Sequence, residues 1–322
     1  MIIEKILKQL TPERIKKEIE VIQKIKLPPE LQKWVTEYEK VGERGEFVWK
    51  WTYSGWRLFT LSCVAKKYKK SVYIIKTCNT ILNALIDDLS DNRGNEKFLN
   101  EALSIISGAK SDSPHRKNQK YFSLIKEIWC FIQKSIKGYP RYKEFKDIFA
   151  YDYLQFLNTM KYSYLINKIP NLVNLTEHEI YSSHNMQGII GFTIDLMCSP
   201  RFDVSELGVL RKVGWRAQEM GRIGNTIATW EKEISRNDFT SGISAYFLEK
   251  KIIKLENLKL RTNKITETTI LKARNYFLKK WEEHYNEILN SLKKTKQFDV
   301  NKILTASKKF LIMHLSCIGR DI

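Results

Sequence analysis

The chain has 322 residues, 43% of them hydrophobic and 12% aromatic, a composition that supports a large packed core and excludes a disordered or low-complexity polypeptide. Lys and Arg number 55 against 36 Asp and Glu, leaving +19, and because the basic residues are scattered along the whole length no detachable basic tail is implied. The cysteines, Cys63, Cys78, Cys130, Cys198 and Cys317, are far apart and odd in number, which excludes a disulfide framework and a Cys-x-x-Cys zinc knuckle.

In chain order, residues 1–10 carry Glu4, Lys5 and Lys8 and so lack the apolar core of a secretory signal. No apolar run reaches the roughly 18 residues of a membrane span, since the longest, from Ile189 to Cys198, is broken by Asp195. The expectation is a cytoplasmic protein with no transmembrane segment. Ile15, Ile19 and Ile22 recur at helical spacing between Pro12 and the Pro28-Pro29 pair, so residues 1–30 read as an N-terminal helical arm. Lys66, Lys67, Lys69 and Lys70, interrupted by Tyr68, read as a solvated helix end. Ile74, Ile75, Cys78, Leu82, Leu85 and Ile86 then predict an apolar helix, and Pro114, Pro140, Pro170 and Pro200 fall where later helices start or stop. Thr176 with Glu179, and Asp203 with Glu206, have capping-box spacing and predict helices over 177–198 and 204–235. Residues 108–114 and 237–242 read as mobile loops. With no repeat and no long linker, the expected fold is all-α: a single helical bundle of about ten or more helices, one domain over residues 1–322.

Two groups of side chains stand out on this frame. Residues 82–95 read LNALIDDLSDNRGN, so an apolar helix runs into Asp87, Asp88 and Asp91. Asp87 and Asp91 lie one turn apart on one face, with Asp88 beside them. A helix C-terminus already carries partial negative charge, so carboxylates gathered there call for a compensating cation, and hard oxygen ligands favour Mg²⁺. A solvated acidic turn is the alternative reading of this string by itself. Further on, GRIGNTIATWEKE places Asn225, Thr229 and Glu233 at steps of four, an amide, a hydroxyl and a carboxylate in one stripe able to hold a second cation. Lys232 and Arg222 stand beside that stripe, where each can meet a phosphate.

These residues resemble the class I terpene synthases. Asp87, Asp88 and Asp91 match the family's aspartate-rich DDxxD motif, and Asn225, Thr229 and Glu233 match its second motif, Asn-x-x-x-Ser/Thr-x-x-x-Glu, with Lys232 where a diphosphate-contacting lysine is frequent. The likeness covers residues from about Val48 onward, in the manner of bacterial single-domain members. Two features depart from the pattern. Glu179 occupies the position of the diphosphate-sensing arginine, and the nearest matching geometry is His184, followed by Gln187 and Gly188, either as a substitute sensor or as an ordinary buried histidine. The C-terminal Arg-Tyr pair is missing, with Arg320-Asp321 its nearest relic.

The resemblance implies the class I terpenoid synthase fold and three Mg²⁺ ions, with Mn²⁺ able to substitute, clamping an isoprenyl diphosphate between the two motifs. Lys232, Arg222 and Arg320 add positive charge to the diphosphate site. Tyr53, Trp56, Phe59, Phe192, Trp215 and Tyr246 are the expected walls of a prenyl pocket, and residues 92–95 and 237–242 the loops that close it. Gly188, Gly191, Gly221 and Gly224 thin the helices around it, which favours geranylgeranyl over farnesyl diphosphate, while close packing of one helix on another explains the glycines equally well. No nucleic-acid partner is expected and a homodimer is left open. Two rival readings remain: a prenyl transferase or squalene-synthase-like condensing enzyme, and a basic nucleic-acid-binding helical protein.

Overall fold

The helical spacing of apolar residues gives, in a computed structural model, α-helices joined by short 3₁₀ turns, with no β-strand among the described residues, 2–91, 96–109, 119–259 and 266–320. The helices are α1 (Ile2–Leu7), α2 (Pro12–Gln23), α3 (Pro29–Glu39), α4 (Glu46–Phe59), α5 (Lys69–Ser90), α6 (Glu96–Ser107), α7 (Gln119–Lys137) and α8 (Tyr142–Lys168). They continue as α9 (Leu175–Tyr181), α10 (Gly188–Met197), α11 (Leu207–Ser235), α12 (Gly242–Glu249), α13 (Leu255–Lys259), α14 (Glu267–Leu289) and α15 (Val300–Leu315). Pro12 and Pro29 open α2 and α3 in the first turn, where a missing N–H costs nothing. None of the helices of the described residues is long and apolar enough to cross a membrane.

Two long helices organise the bundle. From Val72 to Ser90, α5 is buried on nearly all sides, enclosed by α3, α4, α6, α7, α8 and α10, and its buried polar residues Lys76, Asn79 and Asn83 each find a partner on a neighbouring segment. α11 packs on α10, α14 and α15. Residues 2–30 lie folded on the bundle: Ile3 and Ile6 of α1 are buried, the Ile2 N–H donates to Glu282 Oε1 at 2.5 Å, and Ile22 of α2 packs with Trp51, Met313 and Cys317.

The helix expected over 177–198 is interrupted. α9 ends at Tyr181, Ser182–Met186 forms a 3₁₀ turn, and Gln187 adopts a left-handed backbone (φ 54°) before α10 begins. α5 and α8 stitch this break in place. Asn83 Nδ2 donates to the Asn185 carbonyl at 2.7 Å, Asn79 Nδ2 to Gln187 Oε1 at 2.8 Å, and the Thr159 hydroxyl to the Tyr181 carbonyl at 2.9 Å. The cap of α9 is also different from expectation. Asn174 accepts from the Glu177 N–H at 2.8 Å, so Thr176 lies inside the helix and Glu179 pairs instead with Lys280 of α14. Asp203 does cap its 3₁₀ turn, accepting from the Ser205 N–H at 2.9 Å, while Glu206 turns away to the N–H groups of Lys296 and Gln297.

Asp195, which interrupts the apolar run of α10, has a structural reason. Lys76 of α5 is fully buried, and its Nζ lies 2.7 Å from Asp195 Oδ1, while Asp195 Oδ2 accepts from the Leu61 N–H at 2.9 Å. Burial lowers the Lys76 pKa and raises that of Asp195, and each partner's charge opposes the other's shift. The pair pins α10 against α5 beneath the cavity described next.

Candidate active site

Asp87 and Asp91 face the same space because α5 stops there: Asp91 is the C-cap, its N–H bonded to the Asp87 carbonyl at 3.0 Å. Asp87, Asp88 and Asp91 border one end of a cavity of about 950 Å³. Asn225, Thr229 and Glu233 of α11 border the same cavity, with Arg222 and Lys232 beside them. All six oxygen-bearing residues singled out in the sequence, and both flanking cations, are thus brought together. The α11 row is pre-aligned: the Thr229 hydroxyl lies 2.8 Å from the Asn225 carbonyl oxygen and 2.9 Å from Glu233 Oε1. Arg222 Nη1 donates to Asn225 Oδ1 at 2.6 Å, and Nη2 to the Thr240 carbonyl at 3.2 Å.

Among the described residues, the acidic end carries more carboxylates than cations. Burial first, then the Asp87 charge, raises the Asp88 carboxyl, with Arg44 opposing. Desolvation, followed by the charges of Asp238 and Asp87, pushes Asp91 well above the usual carboxylate range. Glu233 and Asp238 are raised as well, chiefly by burial; Asp238 adds to the shift of Glu233, and Asp87 to that of Asp238. Among the described residues no three His, Cys, Asp or Glu side chains converge as a preassembled metal cage. The donors stand instead on two walls, the aspartates of α5 and the amide, hydroxyl and carboxylate of α11. Glu233 Oε2 is enclosed with no close hydrogen-bond donor among the described residues, the Ser241 hydroxyl being the side chain that helps hold the carboxyl's pKa down. Hard, oxygen-only donors in excess of local positive charge suit Mg²⁺, which takes one or two carboxylates and completes its shell with water and phosphate. The residues present fit the ion.

Below the acidic end the walls are aromatic. Trp56, Phe59 and Phe192 line the cavity as expected, and Trp56 is anchored by its indole N–H on Thr80 Oγ1 at 2.9 Å. Tyr53, Trp215 and Tyr246 do not line it. Tyr53 packs edge-on against Tyr73, Trp215 against His184, and Tyr246 against Tyr276 and Phe247. Their places are taken by Trp49, Trp51 and Phe310, with Phe310 of α15 in contact with Trp51, Phe59 and His314 at centroid separations of 5.0, 5.2 and 4.4 Å.

His184 lies outside the cavity, half-buried, its ring 4.7 Å from that of Trp215, and burial lowers its pKa. The neighbouring Asn185 reaches the aspartates instead, donating from Nδ2 to Asp87 Oδ1 at 3.0 Å. As adjacent residues of the Ser182–Met186 3₁₀ turn the two point in different directions, and the bond from Asn83 to the Asn185 carbonyl fixes Asn185 on the cavity side. Arg320 is also elsewhere, exposed beside a small separate pocket with Gln23, Glu46 and Lys50. Residues 92–95 and Asp321 lie outside the described residues, as do 110–114 of the first expected loop. The second, 237–242, is held at several points: Asn167 donates to Asp238 Oδ1 at 3.1 Å and accepts from the Phe239 N–H at 2.8 Å, and Phe239 is buried.

The residues that sequence reasoning missed are Arg44, Asn185, Asp238, Phe310 and His314. The aromatic density of α4, EFVWKWTYSGWRLF, was a signal for Trp49 and Trp51; nothing local marks Phe310, which arrives from a helix more than 200 residues later. No family model matches the chain, and no curated protein matches it.

The glycines serve these walls differently from expectation. A Cβ on Gly191 would stand 2.6 Å from Trp56 Cζ3, and one on Gly224 2.8 Å from His314 Nδ1, so each glycine seats a ring rather than opening space. Gly191→Ala is accordingly expected to lower stability by about 1–3 kcal/mol through overpacking. The measurement is a urea midpoint; an unchanged midpoint would mean that Trp56 has room to move.

Proposed function

We propose that the protein is a magnesium-dependent class I terpene synthase, with the corresponding fold, that ionises a linear isoprenyl diphosphate and cyclises the carbocation. One observation carries the reading: a single cavity has two facing rows of oxygen donors at one end and aromatic walls below. A polar head that needs metal and an apolar chain that needs shielding from water fit that division.

In this reading Asp87, Asp88 and Asp91 on one wall, and Asn225, Thr229 and Glu233 on the other, hold Mg²⁺. Bound there, Mg²⁺ supplies positive charge that stabilises the diphosphate as the C–O bond breaks. Arg222 and Lys232 bind phosphate oxygens, and Arg222 brings a buried Nε that has no protein partner to that task. The faces of Trp56, Phe192 and Phe310 stabilise migrating positive charge, and the enclosed walls keep water from quenching it. No side-chain base is required, since the released diphosphate can accept the final proton. The cavity, about 950 Å³, stands at the upper end of the roughly 300–1,000 Å³ of small-molecule clefts, which favours a C20 over a C15 chain.

The test is mass spectrometry of volatiles after incubation with C10, C15, C20 or C25 diphosphate, each alone, with Mg²⁺. A cyclic hydrocarbon or alcohol is expected, in greater yield from C20 than from C15. Product only when two isoprenyl diphosphates are combined would replace the reading with a condensing enzyme. No diphosphate release from any substrate, alongside steeply salt-sensitive nucleic-acid binding, would replace it with the basic binding protein.

A further inference from the structure

The connection from α3 to α4 borders the acidic end of the cavity through Val41, Gly42, Glu43 and Arg44. It is fixed rather than loose. The N–H groups of Val41 and Gly42 both bond the Tyr38 carbonyl, at 2.9 and 2.8 Å, and a Cβ on Gly42 would fall 2.2 Å from Tyr38 Cζ, so the chain runs directly over that ring. This course delivers Arg44 to the aspartates. Its Nη2 lies 3.1 Å from Asp87 Oδ2 and 2.9 Å from Asp88 Oδ1, and the Tyr38 hydroxyl donates to Asp88 Oδ2 at 3.3 Å. One guanidinium therefore engages an oxygen from each of two carboxylates that, under the function proposed above, hold metal.

From this geometry we infer that Arg44 is a resident counter-cation of the first aspartate site, which metal must displace and which then binds the diphosphate opposite Arg222. The inference rests on the proposed function. Its physical basis is charge. Arginine stays protonated in proteins, so it cannot yield the site by losing its proton, and a divalent cation arriving at Asp87 and Asp88 must compete with it and then repel it. The displaced guanidinium lies on the cavity wall, where a planar fork of donors matches phosphate oxygens. Metal alone therefore meets a competitor, whereas metal with diphosphate gives that competitor a new partner, and the two ligands bind cooperatively.

The test measures Mg²⁺ alone, and then inorganic pyrophosphate in saturating Mg²⁺, by isothermal titration calorimetry on wild type, Arg44→Gln, Arg44→Lys and Asp87→Ala. Arg44→Gln is expected to bind Mg²⁺ alone about tenfold more tightly than wild type and Mg-pyrophosphate about tenfold more weakly, a reversal that a merely structural role would not produce. Arg44→Lys, whose more strongly hydrated ammonium costs more to hold between the two carboxylates, is expected to tighten Mg²⁺ binding while keeping most of the pyrophosphate affinity, and it stands in should the glutamine variant fail to fold. Mg²⁺ binding that is sensitive to Asp87→Ala but unchanged or weakened in both Arg44 variants overturns this inference alone. Mg²⁺ binding that is insensitive to Asp87→Ala removes the metal site, and with it both this inference and the proposed function.

Discussion

Asp87→Ala and Glu233→Ala are each expected to lower Mg²⁺-dependent diphosphate release at least about a thousandfold, roughly 4 kcal/mol of barrier. The two residues stand on opposite walls of one cavity, so each removes one side of the same clamp. Asp87 is also the junction of the first site, touched by Arg44 from α4's approach and by Asn185 from the break before α10. Glu233 ends the α11 row, and its enclosed Oε2 has no close donor among the described residues. A loss of fold is separable from a loss of chemistry. Burial and Asp238 raise the Glu233 carboxyl, so above that raised pKa the native state carries an ionised group at a cost the unfolded state does not share. Glu233→Gln, which keeps the shape, should therefore be at least as stable as wild type at neutral pH in a urea titration, and yet inactive. Retained diphosphate release in both alanine variants would remove the metal-site reading.

Much of this arrangement is legible in the sequence, and the limits of legibility have physical causes. Spacings within one helix are fixed by a rise of about 1.5 Å and a turn of 3.6 residues, so the rows Asp87–Asp88–Asp91 and Asn225–Thr229–Glu233 can be read from a string of letters. That the rows would share a cavity was an expectation, and residues of both α5 and α11 do border one cavity. Where a contact depends on how the chain leaves a helix, sequence reasoning had no purchase. The 3₁₀ turn of Ser182–Met186 presents Asn185 to Asp87 and leaves His184 against Trp215, a choice between neighbours that α-helical periodicity does not report. A search for a cationic substitute passed over the amide for the same reason. Arg44 escaped notice because it sits in a connection outside any helix, and Phe310 because its ring comes from the distant α15. The glycines of α10 and α11 were visible, but a missing side chain says nothing about whether emptiness or a neighbouring ring fills its place. Trp56 and His314 fill it.

Arg222 offers the second large effect, because it joins three parts of the site. Only 8% of it is exposed, and its guanidinium donates to Asn225 Oδ1 at 2.6 Å and to the Thr240 carbonyl at 3.2 Å. The first bond orients the amide that opens the α11 row. The second ties the 237–242 segment, which carries Asp238, to the helix. Its Nε is buried with no hydrogen-bond partner among the described residues, and under the proposed function it is free to bind phosphate. Arg222→Ala is expected to lower diphosphate release about a hundred- to a thousandfold, roughly 3–4 kcal/mol, the size of losing one preorganised donor to developing charge. Arg222→Lys should recover less than about tenfold of that, because a single ammonium cannot hold the amide, the carbonyl and a phosphate at once. A role confined to phosphate charge would make lysine an effective replacement. Hydrogen exchange adds a readout independent of turnover: amides of 237–242 should exchange faster in both variants, since the bond to Thr240 is lost in each. Full activity in Arg222→Lys, with exchange unchanged, would reduce the residue to a point charge and leave the position of Asp238 to Asn167, Thr240 and the Glu233 carbonyl.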